Sequence, residues 1–402
     1  MADTHRWRGR VWTGEDTLLD DGVLEVSAGV IQRLRPAEPT DSPAELDQQG
    51  RAFTLLPGMV DLHNHGGGGY SFPTSDAEGC RRAAEHHRSR GTTTLLASLV
   101  SADASTLLHQ AGLLSQVAED GLIAGIHLEG PFLSPLRRGA QDSAALVRGD
   151  PHLLLQIIEA ARGHLRSITV APEVENFPEI LQVCAEYRLV VSLGHSDASL
   201  ATTELALEAA AAAGARVTAT HLFNAMPPMH HRAPGIAGAL LRAASEGRVV
   251  AELVADGVHL DDAMVSIALS AAPNHMAFVS DAMSAAGMPD GTYTLGGSTV
   301  IAADGAAHLA ASADRPKTIA GGTSALVDQV IRHAGAALLS ERTHTGDELA
   351  RAERAVRAAT RTPAQVLGLS DRGLLKPGLR ADVVKLDSQA RVASVLTQGR
   401  PQ

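Results

Sequence analysis

Five short apolar runs of this 402-residue chain end in histidines or carboxylates: Asp61-Leu-His63-Asn-His65, Ile126-His-Leu-Glu129, Ser192-Leu-Gly-His195, Thr218-Ala-Thr-His221 and Phe278-Val-Ser-Asp281. Imidazole nitrogens and carboxylate oxygens in such a mixture are the ligands that zinc and similar borderline ions select. In an extended chain residues two apart point the same way, roughly 6.6 Å apart, so His63 and His65 can face one site together. A carboxylate ending an apolar strand, as Glu129 does, is costly unless it meets a cation or donors. Taken singly, each motif has a plain reading. HxH arises easily in a chain with 18 histidines, Glu129 could pair with an arginine at the rim, and one histidine at a strand end is more often part of the core. Two histidines on neighbouring runs, with a glutamate and two more histidines, are hard to explain structurally. A catalytic zinc site keeps three protein ligands and a water, and Glu129, His195 and His221 supply that set. A second ion held by His63 and His65 would share Glu129. Asp281 beside such a centre can take a proton from water and later deliver it to a leaving group, or it is a further ligand or a helix cap.

The elements that would position these residues alternate. Short β-rich runs at 59–63, 93–100, 123–129, 168–173, 190–195, 217–223, 249–259 and 276–281 are separated by helical stretches such as 77–90, 177–188, 199–213 and 261–271, with a last one at 324–339. Eight strand-then-helix repeats predict an α/β fold, a closed (β/α)₈ TIM barrel, which places chemistry at the C-terminal ends of its strands. Both ends of the chain are β-rich and broken by turns, which predicts a small β-sandwich built from residues 1–55 and 372–402 beside a barrel of residues 56–371. A hairpin is expected over 292–309, centred on Asp304-Gly305.

Composition narrows the function. With 45% hydrophobic and 20% charged residues the chain can bury a large core, and a formal charge of −11 with no basic run argues against a nucleic-acid partner. Cys80 and Cys184 lie far apart and predict neither a disulfide nor a CxxC metal site. The N-terminus lacks a signal-peptide core and no apolar run is long enough to span a membrane, so a cytoplasmic enzyme without membrane partners is expected.

The longer motifs are more specific. HLEGPF at 127–132, GHS at 194–196, HLFNAM at 221–226, DGVHL at 256–260, DAM at 281–283 and IAGGT at 319–323 make the chain resemble the N-acetylglucosamine-6-phosphate deacetylases of the amidohydrolase superfamily, from about residue 55 onward. The resemblance implies metal-dependent hydrolysis of the acetamide of N-acetylglucosamine 6-phosphate to glucosamine 6-phosphate and acetate. It implies one or two divalent ions, zinc first, with Fe²⁺, Co²⁺ and Mn²⁺ the other candidates. Asp281 would be the acid/base, and Asn224, the Ala225 backbone and His259 would lie near the sugar phosphate. Arg232 would reach the neighbouring site of a homodimer. Some members polarise the acetyl carbonyl with a histidine within the stretch aligned to 133–142, where this chain has Gln141 and no histidine. Many binuclear relatives bridge their ions with a carboxylated lysine, but the only lysines here are Lys317, Lys376 and Lys385, so that subclass is excluded. Deacetylation of N-acetylgalactosamine 6-phosphate and an amidohydrolase-type deaminase are the alternatives.

Overall fold

The computed structural model describes residues 4–15, 17–310, 318–340 and 344–402. Eight parallel strands form one sheet in sequence order: β1 Met59–Asp61, β2 Thr92–Leu99, β3 Gly125–Glu129, β4 Leu165–Val170, β5 Val190–Leu193, β6 Val217–Ala219, β7 Val250–Leu253 and β8 Met276–Phe278. β2, β3, β5 and β8 are buried along their whole length, as strands covered on both faces must be. Just past the ends of β1 and β8 the chain bridges Asn64 to Ala282, with Asp281 N–H donating to His63 O at 2.9 Å and His65 N–H to Ala282 O at 2.7 Å. That bridge brings the ring of strands together, and the fold is a (β/α)₈ barrel. Helices follow the strands, several of them started by side-chain caps: Asp103, Asp150, Ser199 and Asp261 each accept from the first turn they precede.

By proximity the chain divides into two compact units, Met1–Asp61 with His87–Thr94 and Ala325–Gln402, and Leu62–His86 with Leu95–Ser324. The first contains a seven-stranded sheet drawn from both termini, in the order Arg400–Pro401, Val392–Thr397, Val383–Leu386, Thr54–Pro57, Thr4–Trp12, Leu18–Ser27 and Val30–Pro36. It folds over a single apolar core, where Val11, Leu24, Val26 and Ile31 from the N-terminal strands meet Leu55, Val383 and Leu396. This is the β-sandwich expected of two β-rich ends. The helix Gly346–Ala359 in the same unit opens with a capping box between Thr345 and Glu348. Because Leu24 is fully buried in the shared core, Leu24→Ala should destabilise this unit by about 2–5 kcal/mol. Chemical denaturation reads that loss, and an unmoved midpoint would mean the two termini do not share a core.

The second unit carries a four-stranded antiparallel sheet, Gly291–Leu295, Ser298–Ala303, Ala306–Leu309 and Ile319–Gly321. The expected hairpin is its centre: Ala303 pairs with Ala306 across Asp304 (φ 52°) and Gly305 (φ 76°), the positive pair that a two-residue turn requires. Cys80 and Cys184 are both free and buried, and burial pushes each thiol up to about 12, so both are inert at neutral pH.

Candidate metal centre

The candidate residues lie at or just beyond the C-terminal ends of the barrel strands. Glu129 is the last residue of β3, whereas His195, His221 and Asp281 stand two or three residues past β5, β6 and β8. All three of these carry positive φ values of 48°, 25° and 45°, a conformation that costs a non-glycine residue energy and clusters at functional sites. Here it turns each side chain out of the ladder and over the barrel mouth. Gly194 permits the first of these turns, since a Cβ there would lie 2.6 Å from the Thr220 Cβ.

Two groups of three ligand atoms result, His63–His65–Glu129 and Glu129–His195–His221, all buried and all within 4.8 Å inside each group. The Nε2 atoms of His63 and His65 are 3.0 Å apart, and those of His195 and His221 are 3.1 Å apart. Glu129 Oε1 lies 3.0 Å from His195 Nε2 and 3.1 Å from His221 Nε2, and its Oε2 lies 3.3 Å from His65 Nε2. The other ring nitrogens explain why these contacts are not ordinary hydrogen bonds. His195 Nδ1 is 2.9 Å from Arg137 O and His65 Nδ1 is 3.2 Å from Ser98 O. A carbonyl only accepts, so each Nδ1 carries the proton and a neutral ring leaves Nε2 bare. Bare nitrogens facing one another at 3 Å beside a carboxylate are the donor set of a divalent cation, and the residues present fit one in each group.

The electrostatics agree. Burial alone would raise the Glu129 carboxyl, but His63, His195 and His221 hold it well below the usual carboxylate range. Burial opposes charge on His65, yet Asp281 and Glu129 push it up to about 10. The pocket calls for positive charge at the point where these atoms converge. Asp281 is likewise held low against its burial, by His63, His65 and His259. Its Oδ1 lies 3.4 Å from His65 Nε2 and its Oδ2 lies 3.5 Å from His259 Nε2. His259 in turn meets Asp256 through Nδ1 at 2.9 Å. His127 stands below the ligands, between Ser98 Oγ at 2.9 Å and Thr169 Oγ1 at 2.8 Å, and burial keeps it neutral.

A cavity of about 240 Å³ opens over the cluster. His65, Glu129, His195, His221 and Asp281 line one side, and Gln141, Asn224, Ala225 and His259 are among the residues that complete it. A larger cavity of about 380 Å³ lies against Ser101 and Asp103, but no imidazole lines it. Gln141 spans two anchors, donating from Nε2 to Glu129 Oε2 at 2.5 Å and accepting from Ser101 N–H at 2.8 Å. Arg232 is not brought to this cavity by its own chain. It is exposed, with Nη1 2.7 Å from His231 Nε2. Sequence reasoning missed Glu252 on β7, whose Oε2 lies 3.4 Å from His63 Nδ1 and 3.3 Å from the His221 backbone nitrogen. It also passed over Ser98, which accepts from Asn64 N–H and touches His127. Both sit inside strands and were legible only as parts of a run.

A barrel with buried histidine and carboxylate groups at its strand ends defines a metal-dependent hydrolase of the amidohydrolase class, and the Amidohydrolase family matches residues 54–401. The chain is 32% identical to the N-acetylglucosamine-6-phosphate deacetylase of Bacillus subtilis (strain 168), covering 96% of this chain and 93% of that one. It is also 32% identical to the N-acetylgalactosamine-6-phosphate deacetylase of Escherichia coli O157:H7, over 99% of both. In structure it is similar to the N-acetyl-D-glucosamine-6-phosphate deacetylase of Mycobacterium smegmatis, solved in complex with N-acetyl-D-glucosamine 6-phosphate, with a TM-score of 0.87, 34% identity and 99% of both chains covered. The chain belongs to the N-acetylglucosamine-6-phosphate deacetylase family of the amidohydrolases. No helix among the described residues is long and apolar enough to cross a membrane.

Proposed function

We propose that this protein hydrolyses the acetamide of N-acetylglucosamine 6-phosphate to glucosamine 6-phosphate and acetate. The observation that carries the reading is the meeting of Asp281 and both ligand groups at one cavity whose other residues include Gln141, Asn224, Ala225 and His259. Glu129, His195 and His221 would hold one divalent ion, zinc first, and His63, His65 and Glu129 a second, and such ions would supply Lewis acidity that makes water a better nucleophile near neutral pH. Asp281, kept ionised by the imidazoles around it, accepts the water proton as oxygen adds to the acetyl carbon. It returns that proton to the sugar nitrogen as the C–N bond breaks. Gln141 spends one amide hydrogen on Glu129 and has a second for the acetyl oxygen. Asn224, the Ala225 backbone and His259 serve the sugar phosphate. Arg232 is contributed by the partner subunit of a homodimer, where a guanidinium suits a phosphate dianion. The enzyme works in the cytoplasm.

A second reading keeps the site and changes the sugar, because the E. coli relative that matches over 99% of both chains acts, by its name, on the galactosamine epimer. Amine release measured on both 6-phosphates and on free N-acetylglucosamine separates the two. Charge-assisted bonds contribute about 1.5–3 kcal/mol each, so two of them imply roughly a 10²-fold or greater preference in kcat/KM for phosphorylated substrate. Equal rates on phosphorylated and free sugar would refute the sugar-phosphate reading. A higher kcat/KM for the galactosamine epimer would select the second.

A further inference from the structure

Glu252 is a carboxylate in the barrel interior, where an apolar residue would be the default. It is 3% exposed, between Ala251 and Leu253, neither of which is exposed at all. Such a group is costly to bury unless donors and a counter-charge meet it. Its Oε2 touches one member of each ligand group: His63 through Nδ1 at 3.4 Å and His221 through the backbone nitrogen at 3.3 Å. Glu129 joins the same two groups through their Nε2 atoms. The rings of His63 and His221 stack with centroids 5.5 Å apart and planes 28° from parallel, and Glu252 meets the first through its Nδ1 and the second only through its backbone N–H.

The four imidazoles are not supported alike. His65 and His195 direct Nδ1 at neutral backbone carbonyls, and His221 Nδ1 has no hydrogen-bond partner among the described residues. His63 alone among them has a carboxylate at Nδ1. A charged acceptor holds the proton on Nδ1, leaves Nε2 bare and makes it more basic, and such outer partners change metal affinity about 10–100-fold. We infer that Glu252 is a positioning residue for His63, and through it sets the affinity of the ion held by His63, His65 and Glu129 without setting that of the ion at His195 and His221. The contact to the His221 backbone amide orients the loop after β6 but leaves that imidazole's donor atom alone. The inference rests on the two-ion reading above, in which His63 and His65 hold an ion of their own.

The test uses full-length protein stripped with a chelator and reloaded with Zn²⁺ against a chromophoric competitor, which yields the number of ions and both dissociation constants. Glu252→Gln keeps the shape and removes the charge. Wild type should take two ions, and Glu252→Gln should bind one of them about 10–100-fold more weakly while holding the other as before. The metal-free variant should unfold at close to the wild-type temperature, since Gln keeps an oxygen acceptor for His63 Nδ1 and for the His221 N–H. In a His63→Ala background the same substitution should change nothing further, because the coupling runs through that ring. Two ions bound by Glu252→Gln with wild-type constants would overturn the inference. So would equal weakening of both ions together with a less stable metal-free protein, which is the mark of a purely structural role. A wild type that takes a single ion would overturn the two-ion reading itself and the inference with it, a result distinct from either of those.

Discussion

Asp281→Asn is expected to retain metal and bind substrate while losing turnover by more than the roughly 10²–10⁴-fold that one acid–base catalyst contributes. The larger loss follows from double use, since the same carboxylate accepts the water proton and returns it to the amine. Asn is isosteric, and the backbone that aims the residue does not depend on its charge: Asp281 N–H donates to His63 O and its carbonyl accepts from Gly322 N–H. Asn at φ 45° is tolerated better than most residues. The carboxylate is absent from both three-residue ligand groups, although it lies 3.4 Å from His65 Nε2, so metal analysis is part of the measurement. Single-turnover rates with metal content on the same sample decide the matter. Near-normal turnover would remove Asp281 from the mechanism, and loss of one ion would move it into the ligand set.

Much of this site is legible in the sequence because barrel geometry makes one-dimensional order a proxy for place. Strands in sequence order form neighbouring staves, so residues ending successive runs must meet at one rim. The expected runs nevertheless overshoot. The fifth, read as 190–195, pairs only over Val190–Leu193, and the sixth, read as 217–223, only over Val217–Ala219. The excess residues include His195 and His221, both at positive φ. Apolar patterning continues through them because they are buried, but their backbone has left the ladder. Propensity cannot register a turn that is maintained by the site it serves.

What the sequence hides depends on partners distant along the chain. Glu252 reads as one polar residue within a strand, and only the folded barrel sets it against His63, 189 positions away. Gln141 is visible as a departure from a family pattern, but its two anchors, Glu129 and Ser101, emerge only in three dimensions. The helices after residue 325 follow the last barrel strand in sequence, yet by proximity they group with the terminal strands: Arg10 and Trp12 donate to the carbonyls of Ala337 and Leu338. Arg232 marks the opposite limit. It is exposed and rests beside His231, and its proposed role in a second subunit's site would give it no reason to approach its own.

Glu129→Ala should be the most damaging single substitution, because Glu129 alone belongs to both ligand groups. Its Oε1 faces His195 and His221 at 3.0 and 3.1 Å, and its Oε2 faces His65 at 3.3 Å. Removing it leaves two imidazoles in each half of the centre, too few ligands to hold a divalent cation without the carboxylate both halves share. Both ions should be lost, with affinity falling further than the roughly 10–100-fold attached to outer partners such as Glu252, and turnover should vanish with them. The same change frees Gln141 Nε2 and lowers the demand for protons at His63 and His65, both of which Glu129 raises. With the carboxylate gone those rings become easier to deprotonate, so the variant should release protons from this cluster at lower pH than metal-free wild type. Metal analysis after dialysis, turnover and histidine titration by NMR read the three consequences separately. A Glu129→Ala protein that keeps one tightly bound ion would show that the groups do not share this residue, and the arrangement of the centre would have to be redrawn.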